Sequence, residues 1–266
     1  MSGIALHLRI LWHRNSGLIG LYVLLAALLG VYVYLYPGLL SVAGVSRFTQ
    51  NWFPIAVVAL AQTLIMLMGG IDLAIGATVS LGCVLAASYI GDSYGGAAIG
   101  IAIAVAVGAA IGGVIGAIVA LIRIPAIVVT LAASFIIGGM ALLVMPRPGG
   151  HIPSWLSDGL AGELPTALFL LILLLLGWRL LQATPLGQDI NAAGNNPEGA
   201  YRSGVNVARA RIVAYAISGA LSAFAGVYIA AQTGSGDPII GTPLILDSIT
   251  AAVLGGVGFL GGIGTF

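Results

Sequence analysis

The 266-residue chain is 60% hydrophobic and only 6% charged, with a mean hydropathy of +1.13, whereas soluble domains carry about 25% charged residues. That balance excludes a water-soluble globular protein. All nine basic residues are arginine, the net charge is +1, and the absence of lysine removes both a P-loop lysine and any Schiff-base chemistry.

A membrane-spanning helix takes about 20 apolar residues, so the length accommodates about eight spans joined by short loops. Apolar runs bounded by Pro, Gly or charge predict helices over about 17–36, 52–69, 73–90, 97–121, 125–145, 164–183, 210–231 and 244–262. The first run follows Arg9 and Arg14 like a signal peptide, but it is longer than a typical h-region and lacks a small-residue cleavage site, so it reads as an uncleaved helix. The expected fold is an all-α polytopic membrane protein, with residues 1–266 forming a single transmembrane domain.

With Arg14 cytoplasmic, alternation places Arg9, Arg14, Arg123, Arg179, Arg202, Arg209 and Arg211 at the inner side and leaves Arg47 and Arg147 outside, as the positive-inside rule requires. The N-terminus is then cytoplasmic. The segment of about 146–164 becomes an extracytoplasmic loop, and about 184–208, the most polar stretch, a cytoplasmic one. Small residues recur every four positions at Gly100, Ala104, Gly108, Gly112, Gly116 and Ala120, and again at Ser218, Ser222, Gly226 and Ala230. Such stripes let helix backbones approach closely in lipid.

Three segments are candidates for function. Gly69-Gly70-Ile71-Asp72-Leu73-Ala74-Ile75-Gly76 has two readings: a tight turn whose Asp72 caps the next helix, or a broken helix lining a translocation path. In Ala192–Val205, Asn196 is a good N-cap, Pro197 suits the first helical position and Glu198 complements the dipole. A short helix should start there and stop near Gly204, and so short a helix needs a surface to dock on. Arg123-Ile124-Pro125 reads as an interfacial arginine and a proline opening a span, with Thr130 bonding back to its own helix. Cys83 sits alone in an apolar run and receives no role. His7, His13 and His151 show no metal spacing, and no clustered His, Cys or carboxylate constellation suggests a metal site or a catalytic centre.

Taken together and in this order, these segments resemble the permeases of the ribose, xylose and arabinose branch of bacterial ABC importers. That family carries G-G-I-D-L-S-x-G, matched at Gly69 to Gly76 with Ala74 for serine, and K/R-x-P-x-F-I-V-T-L, matched at Arg123 to Leu131 with Ile127 for phenylalanine. Its cytoplasmic G-x-N-P-E-A-A-x-x-S-G loop is matched at Gly194 to Gly204 with Gly199 for the first alanine, and its E-L-D-A-I-A-A-V-V-L-G-G run resembles Leu246 to Gly256, continuing through Gly261 to Thr265. Family members continue for about two more helices, whereas this sequence stops at Phe266, so the resemblance implies a chain short of those helices.

The resemblance implies an ABC importer permease bundle in the bacterial inner membrane, paired with a second permease copy around a solute path near the two-fold axis. ATP and Mg would sit on partner ATPase subunits, with no cofactor on this chain. A periplasmic binding protein would deliver a small sugar, and no nucleic-acid partner is implied. Asn195, Pro197, Glu198, Arg202 and Gly204 are then the expected ATPase-coupling element. For the path, Gln62, Asp72, Thr130, Ser134 and Asp247 offer the polar groups a neutral sugar needs. The alternatives are an ABC permease for an autoinducer, nucleoside or amino acid, and an ion-coupled secondary transporter, which would place several paired ionisable groups at mid-membrane. A membrane enzyme is disfavoured by the lack of a catalytic cluster.

Overall fold

The computed structural model describes residues 20–258. Arg9, Arg14, His7, His13 and the glycines from Gly261 onward lie outside the described residues. Eleven α-helices follow in order among those described: α1 Gly20–Leu35, α2 Val42–Leu67, α3 Ile75–Tyr89, α4 Tyr94–Ala117, α5 Ala126–Val144, α6 Ser154–Ala161, α7 Thr166–Ala183, α8 Pro185–Asn195, α9 Pro197–Arg202, α10 Val207–Thr233 and α11 Leu244–Leu254. Five are long and apolar enough to cross a membrane, counting α4 together with the π-helical turn Ile118–Ile122, and α1, α3 and α11 are shorter apolar helices. These eight correspond one to one with the eight apolar runs, so the all-α polytopic expectation holds.

The differences lie at the ends. Helix α2 starts at Val42 rather than near 52, because Ser41 caps it through Gly44 N–H at 3.0 Å and Pro54 is accommodated inside the helix. The polar run that looked like a loop is structural: Gln50 Nε2 donates to Ser46 Oγ at 2.8 Å and to Gly162 O at 2.6 Å, while Ser46 Oγ donates to Leu164 O at 2.8 Å. Helix α11 ends at Leu254 instead of running on to 262, broken by Gly255 and by Gly256 at φ +93°. Helices α6 and α8 fall inside segments expected to be loops.

Helix α10 is the centre of the bundle, packing along α2, α3 and α4. Its stripe Ser218, Ser222, Gly226 and Ala230 is buried, as is Gly100, Ala104, Gly108, Gly112 and Gly116 on α4. A Cβ at Gly112 would collide with the Tyr215 carbonyl oxygen, and one at Gly226 with the Val79 carbonyl oxygen of α3. Backbone therefore touches backbone along both faces of α10. Since lipid is as apolar as leucine, this close approach, rather than hydrophobic burial, is what selects the neighbours. Helix α2 runs antiparallel to α10, its Phe53 ring tilted against Tyr228 at 4.5 Å and edge-on to Phe224 at 6.3 Å.

Two ends of the bundle result. At one, α6 is pinned by Trp155 Nε1 donating to Asp92 O at 3.0 Å and by the Tyr94–Trp155 ring contact at 4.5 Å, with His151 3.7 Å from Asp92. At the other lie the α2–α3 and α4–α5 turns with α8 and α9. Helix α2 ends there in a Schellman motif: Gly69 has φ +73°, and the N–H groups of Gly70 and Gly69 donate to Ile65 O and Met66 O at 3.0 and 2.9 Å.

Gly112→Val and Gly226→Val should each destabilise the detergent-solubilised chain by ~1–3 kcal/mol through overpacking. Gly138→Val, at a position with nothing within 4 Å, should leave the thermal midpoint nearly unmoved. Gly69→Ala should cost ~1–2 kcal/mol by the same measurement, since only glycine adopts that backbone freely.

Candidate functional site

Helix α9 is built from its caps. Asn196 is extended (φ −152°, ψ 92°) and its Oδ1 accepts from Gly199 N–H at 2.9 Å, with Pro197 opening the helix and Glu198 in the first turn. Arg202, one turn on, donates to Glu198 at 2.6 Å. With both side chains about three-quarters exposed, that pair adds only ~0.3–0.5 kcal/mol. The end is a second Schellman motif, with Gly204 at φ +88° and Val205 N–H donating to Ala200 O at 3.0 Å.

What seats α9 is its surroundings. Ala200 is buried beneath it, and α8 carries the buried Ile190 and Ala193. Thr184 Oγ1 caps α8 by accepting from Gly187 N–H at 3.2 Å, and Gly194 lies so close to the Leu67 carbonyl at the end of α2 that a side chain would collide there. Asn195 belongs to α8, where its Nδ2 donates to Asn191 O at 2.9 Å. It is thus separate from the short helix that holds Pro197, Glu198 and Arg202. The sequence carried the signal for α8 in Thr184-Pro185, a cap followed by a first-turn proline.

A cavity of about 1170 Å³ opens at this end, bounded by the α2–α3 turn, the α4–α5 turn and α9 with the start of α10; Gly70, Arg123, Pro125, Glu198, Arg211 and Tyr215 line it. Arg123 adopts a left-handed backbone (φ 65°), unique among the described non-glycine residues. Two residues beyond the lining Gly70, Asp72 is 4% exposed and its Oδ1 accepts from Ala74 N–H at 2.8 Å, an Asx turn leading into α3. The Ser218 hydroxyl of α10 is buried with no hydrogen-bond partner. Thr130 Oγ1 reaches out of its own helix to Ile71 O at 3.2 Å, in addition to Ile127 O at 3.4 Å. Helix α5 therefore holds the Gly70–Asp72 backbone in place.

Other polar groups here have no such partner. Both amide atoms of Gln62, the Thr63 hydroxyl and the Tyr215 hydroxyl are buried without a hydrogen-bond partner. Nine residues along α2 from Phe53, and nine back along α10 from Phe224 and Tyr228, bring Gln62 level with Tyr215–Gly219. Buried unpaired groups of this kind mark a place that water or movement must serve. Sequence reading missed Tyr215, because an aromatic in an apolar helix gives no local signal.

The five polar residues assigned to a path are not gathered on one surface. Gln62, Asp72 and Thr130 are buried within the chain. Ser134 is half-exposed on α5 with its Oγ donating to Leu131 O at 2.7 Å, and Asp247 is exposed on α11. The segment between α10 and α11 was also missed: Gly234 to Pro243 is non-helical, and its Gly241 N–H donates to Ser80 Oγ at 2.9 Å in the middle of α3. The Gly-Ser-Gly-Asp-Pro and Gly-Thr-Pro runs are its signature. Among the described residues no group of three or more His, Cys, Asp or Glu is arranged to hold a metal ion.

Residues 44–265 match the family described as branched-chain amino acid transport system / permease component. Among curated proteins, the ribose import permease of Escherichia coli (strain K12) is 33% identical over 260 residues, covering 94% of this chain and 79% of its own length. The autoinducer 2 import system permease LsrC of Enterobacter sp. (strain 638) is 34% identical over 252 residues, covering 92% and 72%. A probable ABC transporter permease, YphD of Escherichia coli (strain K12), is 35% identical over 257 residues, covering 95% and 77%. No solved structure matches the chain. The chain therefore belongs to this family of ABC importer permease components, a multi-pass membrane group in which ribose and autoinducer 2 import permeases are its relatives.

Proposed function

We propose that the chain is the membrane-spanning subunit of an ATP-driven importer in the bacterial inner membrane, moving a small sugar handed over by a periplasmic binding protein. The observation that carries the reading is α9. It is capped at both ends, exposes Glu198, Tyr201 and Arg202, and is rooted through α8 onto the end of α2 and directly into α10. A lever of that build transmits force from a separate nucleotide-hydrolysing partner into the bundle, and its Pro197, Glu198, Arg202 and Gly204, with Asn195 on the supporting helix, form the contact. ATP and Mg are the partner's, and this chain is the non-catalytic subunit.

Arginine placement supports a cytoplasmic α9 end, since Arg123, Arg179, Arg202, Arg209 and Arg211 lie toward it while Arg47 and Arg147 lie toward the α6 end. The N-terminus is then cytoplasmic, and residues 1–266 act as one transmembrane domain. Gln62, Asp72 and Thr130 surround the segment that α9 would move, and Ser134 and Asp247 face a second permease copy across the solute path. The relatives' names give ribose and autoinducer 2 at 33% and 34% identity, so uptake of each with its binding protein chooses between these solutes.

Deleting Asn195 to Gly204 should abolish co-purification of a Walker-motif ATPase in mild detergent, and Glu198→Arg should weaken it several-fold; unchanged association in both variants rules the coupling assignment out. Asn196→Ala removes only the cap, costing the short helix ~1 kcal/mol, and should lower transport-coupled ATP hydrolysis without changing expression.

A further inference from the structure

The cavity at the α9 end holds positive charge that the described residues do not answer. Of the side chains lining it, Arg123 and Arg211 are basic and only Glu198 is acidic. Glu198 is already taken by Arg202 at 2.6 Å, and Arg202 is not part of the lining. Neither Arg123 nor Arg211 makes an ion pair among the described residues. Asp72 also lies outside the lining, its carboxylate accepting from Ala74 N–H. Two guanidiniums in one recess repel each other unless an anion joins them.

A buried donor stands beside them. Tyr215 is 1% exposed and its hydroxyl has no hydrogen-bond partner. A Cβ built on Gly70 would lie 3.1 Å from that hydroxyl, and Gly70 and Tyr215 both line the cavity, so the orphan group belongs to its wall. Left unbonded, such a group costs stability. Arg123, at φ 65°, occupies a left-handed backbone that glycine would adopt more easily. Keeping an arginine there points to a use for its side chain.

The ligand follows from the donor set. Two guanidinium forks and a phenol match the several oxygens of a phosphate group. A neutral solute would leave both charges unanswered, and no residue of Gly234–Pro243 or of α11 lines this cavity. Its volume of about 1170 Å³ leaves room for the organic part of an ester. We infer that Arg123, Arg211 and Tyr215 form a binding site for a phosphate monoester, whose oxygens accept from both guanidiniums and from the phenolic hydroxyl. The ester is a soluble phosphorylated molecule or the headgroup of a phosphatidic acid, since either presents the same group. Bound, it links the α4–α5 turn to α10 beside α9. The site does not depend on the importer reading.

Titrating the purified full chain with inorganic phosphate tests this, in dodecyl maltoside, a detergent without phosphorus, with the phosphorus NMR line width as the readout. Binding should saturate. Arg211→Ala and Arg123→Gly should each weaken it at least about tenfold, and Tyr215→Phe at least about threefold. Arg123→Gly relieves the left-handed backbone, so it decides the matter even if Arg211→Ala does not fold. Arg209→Ala, exposed on α10 but outside the lining, should bind like the unchanged chain. Displacement of phosphate by glycerol phosphate supports the site with a soluble ligand, and displacement by phosphatidic acid alone supports it with a lipid. Absence of saturable binding overturns the site, as does undiminished binding in Arg123→Gly or an equal loss in Arg209→Ala. Recovery of an ATPase partner does not enter these measurements, so failure of the importer reading leaves the site standing, and the reverse.

Discussion

Everything in the bundle is referred to α10, and α10 is held by backbone contact. Glycines at 82, 108, 112, 219 and 226 bring α3 and α4 against it so tightly that an added Cβ at any of them would meet a main-chain carbonyl oxygen. Side-chain hydrophobicity cannot select partners where the solvent is itself hydrocarbon; shape can. A sequence that is 60% hydrophobic thereby acquires a defined set of neighbours.

The functional end inherits its geometry from that contact. Tyr215 and Ser218 occupy the α10 stretch that meets the Gly70–Asp72 backbone, and Arg211 lies one turn earlier in the cavity wall. Helix α9 joins α10 through only Ser203 to Asn206, so displacing one moves the other. Thr130, bonded to Ile71 O, ties α5 to the same backbone. The unpaired hydroxyl of Tyr215 sits at this junction, against Gly70, while those of Gln62 and Thr63 are buried in α2.

The helices were legible because lipid imposes one simple rule, length times apolarity, and every predicted span has a counterpart. The small-residue stripes named the central contact, and Asn196-Pro197-Glu198 marked α9 to the residue. Harder to read were places where polar residues serve the fold. Ser46 and Gln50 look like loop residues until the Gly162 and Leu164 carbonyls they satisfy are known, and the partner lies more than a hundred positions away. The same holds for the non-helical segment Gly234–Pro243: its punctuation by Gly and Pro was visible, but only Ser80 across the bundle, accepting from Gly241 N–H, explains why it can lie there. Asp72 had two readings, and locally its Oδ1 accepts from Ala74 N–H, an Asx turn ahead of α3.

Close approach of α4 and α10 is tested most directly by a disulfide between Gly113→Cys and Ala216→Cys in a Cys83→Ala chain, oxidised in native membranes. A Cβ built on Gly113 lies 3.8 Å from the Ala216 Cβ, within the range a disulfide spans without moving the backbone. The account predicts rapid, near-complete cross-linking for this pair and none for Gly138→Cys with Ala216→Cys. Absence of the first cross-link, or equal yields for both, contradicts it.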